Sequence, residues 1–222
     1  MLKHSFAICG RPSDGSKTPS PCMRVPWMLV LACLLLIQHT PLAAAKSEDA
    51  VRAFVEQVNS ASNTFFSSGS EADAREKCRS LLSWAFDVQA MAEYALAKAW
   101  NTSTEEERKA FLDAFEGEII TEYLRRMKAN GTLTYVGARE PLEGDRLAAS
   151  RLTVRGKPDQ IWIWRIRPAG EAWRIVDVLV DGHSAIFAER QEYAQVLEAN
   201  HGDINAVIAF VRNRAARGLQ SK

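Results

Sequence analysis

An α+β fold is predicted for this chain by three observations. Apolar residues recur at helical spacing as far as about residue 130, the period changes to two between residues 132 and 180, and helical spacing returns after Gly182. The period-two segment carries turn residues at regular intervals, so it reads as an antiparallel meander of about four strands. Helices segregated before and after a sheet make one α+β domain rather than an alternating α/β fold.

The first helix is expected over 48–66, because Val51, Phe54, Val55 and Val58 fall at i, i+3, i+4 and i+7. Ser67-Ser68-Gly69-Ser70 ends it. A second helix is expected over 72–84, and a third over 87–100 with Asp87 as its N-cap. Two overlapping capping boxes follow, Ser103 with Glu106 and Thr104 with Glu107, and they announce a long helix ending near Asn130-Gly131. Its stripe is Phe111, Phe115, Ile119 and Leu124, broadened by Leu112, Ile120 and Tyr123.

Strands are expected over 132–137, 147–155, 161–166 and 173–180. The last two form a hairpin across Pro168-Ala169-Gly170-Glu171. Large apolar residues occupy both faces of this hairpin: Trp162, Trp164 and Ile166 alternate with Ile161 and Ile163, and Trp173 and Ile175 alternate with Val176, Val178 and Val180. The second face therefore needs a cover of protein or of an apolar ligand. Two closing helices carry Ile186, Phe187, Tyr193, Val196 and Leu197, then Ile204, Val207, Ile208 and Val211.

Residues 1–45 read as a secretory leader rather than as fold. An apolar run over 25–36 follows Lys3, Arg11, Lys17 and Arg24 and precedes Pro41-Leu42-Ala43-Ala44-Ala45, which has the small-residue pattern of a cleavage site after Ala45. Met23-Arg24 would make a more ordinary beginning than Met1. An extracytoplasmic, periplasmic location is the expectation, with residues 46–222 as a single domain. Loss of four basic residues and one acidic residue with the leader takes the net charge from +1 to −2, which argues against a nucleic-acid partner.

Chemistry-bearing motifs are sparse. Cys78 stands alone once the leader is removed and reads as a small half-buried helical residue. His183 and His201 are not spaced as metal ligands, so neither a metal nor a cofactor is expected. Asn101-Thr102-Ser103 and Asn130-Gly131-Thr132 match the glycosylation pattern, yet a helix cap and a turn explain them. Asp177 lies in an apolar strand. It is expected to pair with an arginine such as Arg165 or Arg174, the alternative being a proton-transfer base working with Tyr123, Tyr94 or His183.

With these elements placed, the chain resembles the MlaC family, also called toluene-tolerance auxiliary proteins. The likeness is carried by Phe86-Asp87, Met91-Ala92, Ala95-Leu96, Trp100, Thr104-Glu105, Arg108, Phe111, Phe115 and Tyr123. It continues through Ile163-Trp164-Arg165-Ile166, Trp173-Arg174-Ile175-Val176-Asp177-Val178, Gly182, Ser184, Arg190, Asn205-Ala206 and Val211-Arg212. Ala97 stands where the family usually has glycine, and His183 where it has a small apolar residue. The resemblance implies a twisted, nuclear-transport-factor-2-like sheet packed by helices around an apolar pocket for phospholipid acyl chains. It also implies hand-off to an inner-membrane ABC-type transport complex and an outer-membrane lipoprotein.

Two acyl chains hold about 30 methylenes, and at about 0.8 kcal/mol each their exposure to water costs roughly 20–25 kcal/mol. Crossing an aqueous compartment therefore needs an enclosing carrier. The expected lipid-facing residues are Phe111, Phe115, Ile119 and Tyr123 on the long helix and Trp162, Trp164, Ile175 and Val178 on the sheet. Competing readings are a carrier of hopanoid-associated lipid, as in the HpnM relatives, and a nuclear-transport-factor-2-like enzyme using Asp177. A ligand-free adaptor would show a filled core and an exposed apolar patch.

Overall fold

In a computed structural model, residues 40–127 and 131–220 are described. Most of the expected leader, and Asn130 of the second glycosylation match, lie outside them. The chain divides into Met1–Pro41 and Leu42–Lys222, and the second unit holds the elements that follow apart from the first two residues of the opening helix.

Helix α1 (Thr40–Asn63) begins eight residues ahead of expectation and passes into a 3-10 turn, Thr64–Ser67. Helix α2 (Glu71–Ala85) starts where the Ser70 side chain accepts from the Asp73 amide at 3.1 Å. Asp87 caps α3 (Val88–Leu96) through the Ala90 amide at 2.9 Å, as its sequence position predicts. Of the two capping boxes before α5 (Glu105–Met127), the structure uses Thr104 with Glu107. The Thr104 amide donates to the Glu107 carboxylate at 2.8 Å and the Glu107 amide to Thr104 Oγ1 at 3.2 Å.

The single helix expected over 87–100 is broken at Ala97, and α4 (Lys98–Thr102) follows as a separate short helix. Ala97 sits at φ 52°, ψ −122°, a conformation in which a Cβ is strained and glycine is not. The turn delivers Trp100 to the core, where Arg108 lies over its ring and donates to its carbonyl at 2.9 Å. Ala97→Gly is therefore expected to stabilise the fold by about 1 kcal/mol, the released strain less the entropy that glycine adds to the unfolded chain. Urea denaturation would read this as a higher midpoint at unchanged slope.

The sheet is an antiparallel meander in the order β1 (Thr132–Leu142), β2 (Asp145–Thr153), β3 (Gln160–Ala169), β4 (Ala172–Val180) and β5 (His183–Ser184). The two-residue β5 adds a fifth strand to the four expected. Two of the hairpins turn on two residues: Glu143 and Gly144 both take positive φ between β1 and β2, and Gly170 supplies it between β3 and β4, whereas residues 154–159 join β2 to β3. After β5 come α6 (Ala185–Ala199), capped by Ser184 through the Phe187 amide at 3.0 Å, and α7 (Ile204–Gln220).

Trp162, Trp164, Ile166, Ala148, Ser150, Leu152 and Ile175 are buried in the core shared with the helices. The loop before α3 is stitched to β4 by the Asp87 amide, which donates to the Ile175 carbonyl at 2.9 Å. Ile161 and Ile163 on the opposite face are only half-buried, so the full cover expected for that face is not what protects them. Their shelter includes their neighbours in register, Arg151 beside Ile161, and Ala149 and Leu179 beside Ile163.

Strict alternation would put Ile175 and Val178 on opposite faces. A bulge in β4 changes this: Ile166 pairs with Ile175 while Arg165 pairs with Asp177, leaving Val176 as the extra residue. Ile175 and Val178 thus both pair with inward-facing residues of β3, Ile166 and Trp164. Cys78 is fully buried rather than half-buried, and that burial pushes its thiol up to about 12.

Candidate functional site

Between α5, α6, α7 and the inner face of β3 and β4 lies a cavity of about 570 Å³. Such a volume lies within the usual range for small-molecule sites. The i, i+4, i+8 spacing of Phe115, Ile119 and Tyr123 sets them on one face of α5, and Trp162, Val178 and Val180 face them from the sheet. Phe86, Met91 and Ile186 complete an apolar wall.

Polar groups gather on the helical side. Arg214 of α7 is held by three carboxylates at once, Glu118 of α5 and Glu189 and Glu192 of α6. The buried Tyr193 hydroxyl donates to Glu118 at 2.8 Å, and burial holds that phenol well above its ordinary range. This cluster ties three helices together along one side of the cavity. Farther along α5, Glu122 is gripped by Arg125 through both oxygens at 2.7 Å and by Arg126 Nε at 2.8 Å.

Residues 49–213 match the family described as MlaC protein. The chain belongs to the MlaC family. Its fold is that of a phospholipid-binding protein from Ralstonia solanacearum, solved in complex with a phospholipid, which is 18% identical over 78% of this chain and 98% of that chain at a TM-score of 0.62. No curated protein matches the chain significantly.

Within this MlaC domain, Phe115, Ile119, Tyr123, Trp162 and Val178 of the eight residues read from the sequence share the cavity wall. The other three pack beside it. Phe111 stacks on Phe115 at 5.5 Å and meets the Tyr193 ring edge-on. Trp164 adjoins Trp162 at 5.7 Å and donates from its indole nitrogen to Ser150 Oγ at 2.9 Å. Ile175 is fully buried against the Phe86 bridge. Tyr123 keeps its hydroxyl 2.7 Å from Ser62 Oγ, and its complete burial raises its pKa strongly.

Among the described residues no arginine partners Asp177, against expectation. Arg165 turns to Asp145 at 2.6 Å and Glu143 at 3.0 Å, and Arg174 donates to the Trp84 carbonyl. Asp177 accepts instead from Ser184 Oγ at 2.6 Å and from the amides of Val178 and Ile186 at 2.7 and 3.2 Å, so it fastens the entry of α6 to β4. These three donors satisfy a buried carboxylate without a countercharge. Asp177 does not line the cavity, and His183 is exposed at its turn, so the proton-transfer reading lacks its constellation.

Sequence reasoning missed the charged side of the site, contributed by Glu118, Glu122, Arg125 and Arg126 of α5 together with Glu189, Arg214 and Arg217. One signal was available: Glu118 and Glu122 fall at i+3 and i+7 from Phe115, inside the helical stripe that otherwise reads as apolar. A close helix approach supports this side as well. A Cβ on Gly218 would meet Thr121 Cγ2 at 2.6 Å, and Thr121 is held by its hydroxyl on the Gly117 carbonyl at 2.8 Å. Threonine is stiff at χ1, so the methyl has no easy retreat. Gly218→Ala is expected to destabilise by about 1–3 kcal/mol by forcing α7 from α5, seen as a lower thermal midpoint, whereas Gly218→Ser should do no better.

Proposed function

We propose that this protein is a periplasmic carrier of phospholipid, enclosing acyl chain in the cavity and leaving the head group at its charged helical side. The single observation that carries the reading is the cavity itself, walled by Phe115, Ile119, Trp162, Val178 and Ile186 in a fold whose Ralstonia counterpart was solved with phospholipid bound. Burial of acyl methylenes there offsets the cost of exposing them to water, about 0.8 kcal/mol each. Family membership supports exchange with an inner-membrane ABC-type complex and an outer-membrane lipoprotein. The leader pattern over residues 1–45 supports delivery to the periplasm.

The test is extraction and mass spectrometry of protein produced in a bacterial periplasm. Phospholipid in near-stoichiometric amount supports the reading. Protein free of lipid that also fails to take up labelled phospholipid overturns it, and hopanoid found in its place would move the cargo to the other lipid class.

A further inference from the structure

Two helices run in parallel along one side of the cavity: Arg214 of α7 meets Glu118 of α5, and Gly218 meets Thr121 one turn later. Their last turns therefore bring Arg125, Arg126 and Arg217 to the same end of the cavity, and all three line it. These arginines are not equally committed. Arg125 spends Nε and one terminal nitrogen on Glu122, and Arg126 spends only Nε on the same carboxylate. Arg217 has no acid, hydrogen-bond acceptor or ring as partner among the described residues.

Complementarity to the helix dipoles explains why each last turn carries cations. It does not explain why they converge on one apolar cavity, nor why one of them has no acid beside it among the described residues. The carboxylates nearby are already engaged, Glu122 by two arginines and Glu118 and Glu189 by Arg214. An anion entering at this end would meet Arg217 and the unspent terminal nitrogens of Arg126. Guanidinium groups match the paired oxygens of a phosphate, and a phosphodiester attached to an acyl-chain anchor would lie beside them when the chain is inside.

We infer that Arg217 and Arg126 form a phosphate subsite that selects a phosphodiester-bearing lipid over an uncharged lipid with the same chains. The inference rests on the carrier reading and adds to it the group that the protein recognises outside the apolar wall. Arg217 is solvent-exposed, so its contribution is that of a surface ion pair, about threefold in affinity, and it weakens with salt.

The experiment compares dioleoyl phosphatidylglycerol with dioleoylglycerol, each presented from cyclodextrin to delipidated wild type, Arg217→Gln and the Arg126→Gln, Arg217→Gln double variant. Wild type is expected to prefer the phospholipid, Arg217→Gln to lose about threefold of that preference, and the double variant to lose more, with dioleoylglycerol binding and thermal midpoint unchanged. Equal binding of the two lipids by wild type, or a loss shared equally by both in Arg217→Gln, overturns the subsite while leaving the carrier standing. Binding of neither lipid overturns both. Inorganic phosphate alone serves as the remaining arm: binding as tight as that of the phospholipid would assign the arginines to a free anion and overturn the head-group assignment.

Discussion

Ile119→Gln is expected to leave the fold standing and to weaken lipid binding at least about fivefold. Ile119 is half-buried on the cavity face of α5, between Phe115 and Tyr123 in the same stripe. Glutamine is a good helix former of similar reach, so the helix itself loses little, and the empty cavity can hydrate the new amide. When an acyl chain enters, that amide is stripped of water without a partner, which costs about 1–3 kcal/mol on the scale of protein substitutions. Since about 1.4 kcal/mol is a factor of ten, the affinity falls by roughly fivefold to a hundredfold. A vesicle-to-vesicle transfer assay run beside thermal unfolding of the delipidated protein separates the two effects. Unimpaired transfer by a folded variant would remove Ile119 from the lipid path.

The same stripe shows what a sequence can and cannot say about such a site. Phe111, Phe115, Ile119 and Tyr123 are legible as one face of a helix because their spacing is a property of the chain alone. That Phe111 is packed beneath the wall while Phe115 is part of it depends on Tyr193, which reaches Phe111 from α6 across 82 positions. A cavity is the absence of side chains between elements, and no periodicity records an absence. The caps at Ser70, Asp87, Thr104 and Ser184 are the opposite case, since donor and acceptor lie within three residues of each other.

Local exceptions to periodicity were illegible for a related reason. The bulge at Val176 brings Ile175 and Val178 onto the same face, and it is a feature of strand register that the alternating pattern of apolar residues does not reveal. At Ala97 the pattern continued smoothly through a break, because the residue there is a strong helix former held in a glycine-type conformation. The departure from the family's usual glycine was visible in the sequence, and the structure gives it a physical cost. Asp177 is expected from the sequence to pair with an arginine, and that expectation fails: its partners are a serine hydroxyl and two amides. The β4–β5–α6 junction that supplies them is assembled only by the fold.

Trp164→Ala is expected to cost about 3–5 kcal/mol, the usual range for deleting a buried tryptophan side chain. Trp164 is completely buried and stands beside the cavity wall rather than in it, with Trp162 as its aromatic neighbour and Ala148 and Val178 as its partners in register. Its indole nitrogen also donates to Ser150 Oγ, which in turn donates to Asn59 Oδ1 at 3.0 Å, a buried chain that anchors β2 and β3 to α1. Truncation leaves a void and removes the first donor of that chain, so a loss of this size takes a large part of the 5–15 kcal/mol that holds a typical domain together. Trp164→Phe isolates the hydrogen bond from the packing and is expected to cost nearer 1 kcal/mol from the bond, with a smaller term for lost volume. Both are measured as shifts of the urea midpoint on delipidated protein. A Trp164→Ala variant that stays folded at near wild-type stability while losing lipid would place this indole in the cavity after all, and the boundary drawn between Trp162 and Trp164 would have to move.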